Sequence, residues 1–276
     1  MSVGDEIRDF LLARRARITP ERAGLSSHGE RRVTGLRREE VAQLAGVSTE
    51  YYARLERGGA RGVSDTVLAA LARALQLDEA ERGHLFDLVH AANAKPRRRR
   101  SGSELRPATL RLLDAMATAP AYVWNGRLDV IEANALGRAL FAPMFDTPGV
   151  VNQARFLFLD PRAKDFFPDR TDLAHDAVTV LRTEAGRDPY DEPLADLVQD
   201  LSGRSPEFRA MWAAHDVGYR RSGVKRFRHP VVGPLTVTFE SLAIVTDPDL
   251  RLTAGTAEPG SPSEQALRLL DSWTAT

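Results

Sequence analysis

Four polar side chains, Thr49, Glu50, Tyr51 and Arg54, have the chemistry to distinguish the bases of a DNA duplex. An arginine guanidinium can donate two parallel hydrogen bonds to guanine, and a glutamate can accept one from the amino group of cytosine. Threonine and tyrosine can contact a thymine methyl group. For Glu50 a second interpretation stays open, because an acidic residue in the first turn of a helix is stabilised by the helix dipole.

The surrounding stretch, Leu36–Gly58, predicts two short helices joined by a tight turn. The first helix places apolar residues on one face at the spacing of helical turns, namely Leu36, Val41, Leu44 and Ala45. Gly46 provides the backbone freedom that a sharp turn needs. Val47 fills the angle between the helices. Ser48 follows as the N-cap of the second helix, where its hydroxyl can accept from a backbone N–H.

The second helix of this stretch places Tyr52 and Leu55 inward and leaves the four candidate base-contacting residues outward. Gly58 is a natural left-handed stop after its last turn. Apolar spacing alone would also fit a generic helical hairpin. The added Gly-Val-Ser turn and the arginine-rich entry favour a helix-turn-helix that binds duplex DNA.

Composition limits what the rest of the chain can be. At 276 residues, two domains are expected. The chain has no cysteine, so disulfides, thiolate metal sites and thiol chemistry are excluded. Residues 1–100 hold 19 Lys+Arg against 14 Asp+Glu, whereas the remaining residues hold 19 against 24. The basic first part suits a phosphate-binding module.

Targeting signals are not evident in the sequence. The N-terminal residues are charged and lack the uninterrupted apolar run of a signal peptide. No run approaches the roughly 18 apolar residues of a membrane span. We therefore expect a soluble, cytoplasmic protein that does not contact a membrane.

Three further helices complete the N-terminal domain, which is expected over residues 1–93. They are predicted over Asp5–Ile18, over Ser64–Leu75 and from Asp78 to about Ala92. Arg31 and Arg32, in the polar loop before the helical pair, either touch the DNA backbone or belong to a solvated loop. The linker, residues 94–107, contains four consecutive arginines that either follow a phosphate backbone or lie free in solvent.

Residues 108–276 alternate between strand and helix patterns. Two short strands flank Asn125-Gly126, a strong hairpin signal. A helical middle follows, and then strands are predicted over Lys225–His229, Leu235–Val245 and Leu250–Gly255. A final helix is predicted over Ser261–Trp273, with Leu267, Leu270 and Trp273 facing inward. Two strands, helices and three strands indicate an α+β domain with an antiparallel sheet, rather than a doubly wound nucleotide-binding fold.

The five N-terminal helices resemble the Xre/Cro/repressor group of helix-turn-helix proteins, with their all-α, lambda-repressor-like fold. Read as a whole, from about Leu36 onward, the chain resembles the MmyB-like transcription regulators of actinobacteria. The strings that carry this resemblance are GLRREEVAQLAGVSTEYYARLERG, PAYVWNGRLDVIEAN, RFLFLDPRAKDFF, VLRTEAGRDP, RSPEFRAMWAAHDV, KRFRHPVVGPLTVTFESL and AEPGSPSEQALRLL.

This resemblance implies a DNA-binding transcription regulator with a PAS-like second domain, acting as a homodimer and tuned by a small apolar, fatty-acid-like ligand. In related proteins the first outward positions of the second helix face base edges. Arg38 stands where related proteins use Gln to hold phosphate, and Arg37 and Arg57 are supporting candidates. With Ser48 and the four outward residues, these arginines form the predicted DNA-binding set.

Two positions depart from the family pattern. Ala133 stands where a Trp usually precedes the Asn of the second strand, and Gly255 stands where the last strand usually carries a Tyr. Both changes remove aromatic bulk. They predict a ligand pocket that is either larger or differently shaped.

Aromatic and polar side chains of the second domain are the candidate ligand-binding residues, namely Trp124, Phe141, Phe158, Trp212, His215 and Phe239. Each aromatic residue has a competing interpretation as ordinary core. His215 and Asp216 are adjacent, and adjacent residues diverge by about 100° on a helix. They are therefore not a preorganised catalytic dyad.

Two other functions compete with ligand sensing. The second domain could only dimerise and bind no ligand, or the chain could be an enzyme. The second possibility is weak, since there is no glycine-rich phosphate loop, no nucleophile elbow and no metal-spaced histidine cluster. We therefore expect no catalysis, no cofactor and no metal.

Overall fold

The computed structural model describes residues 3–25, 35–93, 105–147, 149–214 and 222–274, and it forms two compact units. The first unit holds the described residues up to 93 together with Arg182–Ala195 and 211–214. The second unit holds the other described residues. Arg31, Arg32 and the four linker arginines, whose roles the sequence left open, lie outside the described residues.

The described residues of the N-terminal region form five helices, as the sequence predicts. They are α1 (Val3–Arg17), α2 (Arg38–Ala45), α3 (Thr49–Glu56), α4 (Asp65–Ala74) and α5 (Glu79–Asn93). Their apolar faces meet in one core, in which Ile7, Leu36, Tyr52 and Leu68 are completely buried. Burial of such faces, rather than the intrinsic propensity of the short α2 and α3, is what stabilises these helices.

The turn between α2 and α3 has the predicted conformation. Gly46 ends α2 with a left-handed φ of 67°. The next amide, of Val47, donates to Ala42 O at 3.0 Å, which closes the helix end. One expectation for α2 was wrong: Leu44 is 38% exposed rather than inward. Val41 and Ala45 on either side of it bury the face that packs on the core.

Gly58 is required at its position for two reasons. Its φ is 88°, a left-handed conformation that side chains disfavour. A Cβ atom at this residue would also lie 2.5 Å from Gly4 O, in the first turn of α1. The backbone after the recognition helix α3 can therefore approach α1 this closely only where residue 58 has no side chain.

The second part of the chain alternates helices with a sheet. Its helices are α6 (Pro107–Ala115), α7 (Ala135–Leu140), α8 (Ala142–Phe145), α9 (Gln153–Leu159), α10 (Arg162–Phe166), α11 (Arg170–Arg187), α12 (Glu192–Arg204), α13 (Pro206–Ala213) and α14 (Pro262–Thr274). Its strands are β1 (Ala121–Asn125), β2 (Val130–Ala133), β3 (Ser222–His229), β4 (Gly233–Ala243) and β5 (Leu250–Thr256).

The five strands form one antiparallel sheet in the order β2-β1-β5-β4-β3. Side chains alternate between its two faces. One face of β1 and β5, with Val123 and Leu252, packs with Leu113 of α6. The other face carries Tyr122 and Trp124 of β1 and Phe239 of β4. The expected α+β domain with an antiparallel sheet is confirmed.

The turns and the last helix differ from prediction in detail. Asn125-Gly126 does not form a two-residue turn: Asn125 Oδ1 accepts from the amides of Arg127 and Asp129, at 2.9 and 3.0 Å, and β2 begins only at Val130. In α14, Trp273 was expected inward but is 64% exposed. Of the helices that the structure describes, none is long and apolar enough to span a membrane.

Candidate DNA interface and ligand site

The recognition helix α3 presents its candidate base-contacting residues to solvent. Thr49, Glu50 and Arg54 are exposed, and Tyr51 is half-buried. Ser48 is the N-cap, and its hydroxyl accepts from the amide of Tyr51 at 3.1 Å. The Ser48 side chain therefore fixes the start of the helix whose outward face carries the candidate set.

A buried carboxylate at the end of α3 holds two arginines from other parts of the helical core. Glu56 is 1% exposed and accepts from Arg15 Nε at 2.6 Å and also from Arg38 Nε. Arg15 Nη1 donates in addition to Leu36 O at 2.8 Å. The carboxylate raises the pKa of the Arg38 guanidinium, mainly through the hydrogen bond itself. Arg38 is thus held in place and remains charged.

The side chain of Arg38 is nevertheless half exposed, at 51%. Arg37, Arg38 and Thr49 line a shallow surface depression of about 350 Å³ together with Arg15 and Glu39. Basic side chains around the N-terminal ends of two helices make a favourable environment for an anion such as a phosphate. Arg57, directly after α3, is exposed as well.

Aromatic rings of the second unit form a cluster on one face of the sheet. Phe141 lies 5.4 Å from Tyr122, 5.5 Å from Phe227 and 6.0 Å from Phe239, measured between ring centroids. All four residues are at most 3% exposed. The cluster continues from Phe227 to Phe166 and Phe167, at 5.5 and 5.4 Å. We call Tyr122, Phe141, Phe227 and Phe239 the aromatic cluster.

Trp124 lies on the same face of the sheet but is held by polar contacts. Its indole N–H donates to Thr253 Oγ1 at 2.8 Å, and this hydroxyl lies 2.6 Å from Ser241 Oγ. The three side chains belong to neighbouring strands β1, β5 and β4. These three side chains form a polar row beside the aromatic cluster, in which Trp124 and Thr253 are buried and Ser241 is half-buried.

The other predicted ligand residues are not part of this group. Phe158 packs edge-on against Phe208 at 5.1 Å. Trp212 belongs to the first unit, where the guanidinium of Arg182 stacks on its ring at 4.1 Å and pairs with Glu6 at 2.9 Å. His215 lies outside the described residues. Of the six predicted side chains, Phe141 and Phe239 meet directly, and Trp124 shares their sheet face.

Sequence reasoning missed three residues of the site. Tyr122 and Phe227 join the aromatic cluster, and Lys225 places its ammonium 4.9 Å from the centroid of the Phe239 ring. The alternation of Lys225 and Phe227 with exposed neighbours along β3 was a usable signal, since residues two apart share a sheet face. Glu56 was also missed, because a buried acid at the end of a helix has no local sequence signature.

Two known protein families match this chain, one in each of its two parts. The model of the MmyB-like transcription regulator ligand binding domain matches residues 105–270. The chain belongs to the MmyB-like transcription regulators. A helix-turn-helix domain model matches residues 11–85, which contain α2, α3 and α4 and about half of α1 and of α5. No curated protein matches the chain.

Membership of the MmyB-like family assigns a role to each part. The N-terminal helices are a DNA-binding domain, and residues 105–270 are a ligand-binding domain. Both families are regulatory rather than enzymatic. Among the described residues, no group of three or more His, Asp or Glu side chains is arranged to hold a metal ion.

Gly255, one of the two departures from the family pattern, has a structural explanation in this MmyB-like domain. A Cβ atom at residue 255 would lie 2.7 Å from Phe239 Cε1 and 2.7 Å from Val237 Cγ1. The Phe239 ring therefore occupies space above Gly255. Of the two sequence expectations for this position, a differently shaped site fits this arrangement better than an enlarged one.

Proposed function

We propose that this protein is a sequence-specific transcription regulator that contacts DNA bases through Thr49, Glu50, Tyr51 and Arg54. The observation that carries the proposal is the exposed face of α3. The depression lined by Arg37, Arg38 and Thr49 supports a phosphate contact next to it. In this arrangement the phosphate contacts orient the helix, and the base contacts select the operator.

The second half of the proposal is that the C-terminal domain binds a small apolar ligand of the fatty-acid type. The aromatic cluster supports it, since ligand sites are mostly apolar with a few polar groups. The polar row of Trp124, Thr253 and Ser241 lies on the same face of the sheet. The ligand then biases how the DNA-binding domain engages its operator.

Two sets of measurements on the full chain test these halves separately. Operator selection from a random DNA library, followed by binding assays on the selected site, tests the DNA-binding half. The other half is tested by mass spectrometry of organic extracts of the purified protein and by thermal shift with a fatty-acid series. A co-purifying lipid, or a saturable increase in melting temperature, is the expected result.

A C-terminal domain that only dimerises remains the alternative for the second half. It would be favoured if no member of a broad panel of small apolar molecules shifted the melting temperature. Turnover of any panel member would instead point to an enzyme. Each outcome leaves the DNA-binding half of the proposal unaffected.

We also propose that the regulator binds DNA as a homodimer. Helix-turn-helix proteins commonly bind two half-sites one helical turn apart, so the operator should be close to palindromic. Light scattering on the free protein and on its complex with operator gives the number of chains in each. One chain per operator would contradict the proposal.

A further inference from the structure

Lys225 stands out in the ligand-binding domain because no carboxylate among the described residues pairs with its ammonium group. Its Nζ atom lies 4.9 Å from the ring centroid of Phe239 and 6.0 Å from those of Tyr122 and Phe141. The Tyr122 hydroxyl, at 3.4 Å, is its hydrogen-bond partner. Within the described part of the chain, none of its contacts is a carboxylate.

The two polar atoms meet although their strands are not neighbours. Tyr122 is on β1 and Lys225 is on β3, and β5 and β4 lie between them. Three strand spacings amount to roughly 14 Å. The two long side chains must therefore lean toward each other across the middle of the sheet, above β4 and β5.

Gly255 explains how this meeting is possible. The Phe239 ring lies over Gly255 of β5, in the space where a side chain would begin. The ring can therefore lie low on the sheet, below the point where Lys225 and Tyr122 meet. A large side chain at residue 255 would occupy the same space as the Phe239 ring. The Lys225–Tyr122 contact is thus linked to the way this chain departs from the family pattern.

The surroundings of Nζ are favourable for an anion. Aromatic faces attract the ammonium group and offset part of its desolvation, but they do not neutralise its charge. The Tyr122 hydroxyl is only weakly held by Gln153 Oε1, at 3.5 Å, so it is able to turn and donate to a new acceptor. A carboxylate placed here would receive one charge-assisted bond from Lys225 and one from Tyr122.

We propose that Lys225 and Tyr122 form the head-group site of this domain and that its ligand is a carboxylate with an apolar tail. The tail lies against the aromatic cluster, and the carboxylate pairs with Nζ. This inference rests on the proposed ligand-binding function and deepens it, because it selects ionised acids over neutral apolar molecules of the same length.

The test compares dodecanoate with its methyl ester on the full chain, by calorimetry near neutral pH. Wild-type protein is expected to bind the acid more tightly than the ester. Lys225→Met should weaken binding of the acid by about tenfold or more, since a charge-assisted bond is lost, and should leave binding of the ester nearly unchanged. Tyr122→Phe should weaken binding of the acid by a smaller factor than Lys225→Met does.

Two further variants serve as controls. Lys164→Met removes an exposed lysine of the same unit and should leave both affinities unchanged. Lys225→Arg keeps the charge and should retain preference for the acid, even if the changed shape weakens binding of both molecules. Circular dichroism and melting temperature establish that each variant is folded.

The possible failures are distinguishable. If Lys225→Met is folded and still prefers the acid as strongly as wild type does, or if wild type binds acid and ester equally, the head-group site is wrong while the ligand-binding function stands. If wild type binds neither molecule nor any other member of the apolar panel, both the site and the proposed ligand-binding function fail.

Discussion

The guanidinium of Arg54 stacks on the ring of Tyr51, with its central carbon 4.9 Å from the ring centroid. The two residues are neighbours on the outward face of α3, one turn apart. Stacking leaves the edge of the guanidinium plane free to donate hydrogen bonds. It also reduces the conformational entropy that the Arg54 side chain loses on binding DNA. The pair is therefore a preorganised donor group on the DNA-facing side of the helix.

Arg54→Ala is expected to weaken binding to the operator by about 1–3 kcal/mol and to relax the preference at one base pair. Tyr51→Ala should weaken binding less than Arg54→Ala does and should also relax the base preference at the same base pair, since the Arg54 guanidinium no longer lies over the Tyr51 ring. Competition binding on operator variants measures both effects. Equal weakening on operator and on random DNA would instead identify Arg54 as a phosphate contact.

Glu56 is expected to be required for both stability and DNA binding. Glu56→Gln places an amide donor against Arg15 or Arg38, so the free energy of unfolding should fall by about 3 kcal/mol. Urea unfolding measures this change. Glu39→Gln is the matched control, because Glu39 is 64% exposed and its pair with Arg37 is long, at 3.5 Å. It should change stability by less than about 1 kcal/mol. Similar losses for the two variants would contradict the role given to Glu56.

Asn134 joins three parts of the ligand-binding domain through one side chain. Its Oδ1 atom accepts from the amides of Ala121 and Gly137, at 3.0 and 2.7 Å, and its Nδ2 atom donates to Met116 O and Ala119 O, both at 2.8 Å. Asn134→Ala leaves these groups without their partner, and should lower the free energy of unfolding by about 3 kcal/mol.

Asn134→Asp keeps the two accepted bonds and loses the two donated ones. Its free energy of unfolding therefore measures the contribution of the two bonds that Nδ2 donates. Gln265→Ala, which removes an exposed amide from α14, is the control and should change stability by no more than about 0.5 kcal/mol. Unfolding by urea, followed by circular dichroism, compares all three. An unchanged free energy of unfolding for Asn134→Ala would contradict this role, since it would mean that water satisfies the same groups equally well.

His229 should make the stability of the ligand-binding domain depend on pH. Burial lowers the pKa of its imidazole below the ordinary value. Nε2 donates to Ala139 O at 3.0 Å, and Nδ1 accepts from the amide of Val231 at 3.2 Å, so a proton on Nδ1 would break the second bond. The folded state binds this proton less readily than the unfolded state. The stabilising contribution is complete above a pH of about 6.5 and is lost progressively as the pH falls below it.

His229→Asn keeps an acceptor near the Nδ1 position and cannot take up a proton, so it should remove this part of the pH dependence. Urea unfolding between about pH 7.5 and pH 5.5 measures the effect. His175→Gln changes an exposed histidine and should retain the wild-type profile. Parallel profiles for wild type and His229→Asn would show that His229 does not contribute.

Gly255→Ala tests the close packing on the sheet face. The new Cβ atom would lie 2.7 Å from atoms of Phe239 and Val237, so overpacking should cost about 1–3 kcal/mol of stability. Gly223→Ala is the matched control, since a Cβ atom at this position in β3 meets nothing within 4 Å. Phe239→Leu combined with Gly255→Ala should recover part of the loss. Equal effects of the two glycine substitutions would rule out crowding.

Local patterns were sufficient for the helix-turn-helix. The positions of Gly46 and Ser48, which end one helix and begin the next, follow from backbone freedom and hydroxyl capping alone. The predicted end of a strand at His229 is also where β3 ends. Leu44 was misassigned because on a helix as short as α2 one residue at the edge of the apolar face lies close to solvent.

Long-range contacts were not predictable in the same way. Phe141, between α7 and α8, meets Tyr122 of β1 and Phe227 of β3 only because these distant elements pack together, and no local spacing encodes this. The sequence placed Trp212 with these rings, but the residue belongs to the other unit, because an aromatic residue on a helix gives no indication of its partner. The ion pair of Arg15 and Glu56 could not be predicted either, because the two residues are far apart in the chain.

The central position of β5 in the sheet has a consequence for the order of folding. Residues 121–125 of β1 pair with residues 250–254, so this sheet cannot close until almost the whole chain has been synthesised. The core that unites α1–α5, by contrast, draws on residues within the first 93. During translation the core of α1–α5 can therefore form while β1 still lacks its partner strand, and the buried Glu6 of α1 receives its ion-pair partner Arg182 later. The helices that carry the DNA-binding residues thus form before the ligand-binding domain does.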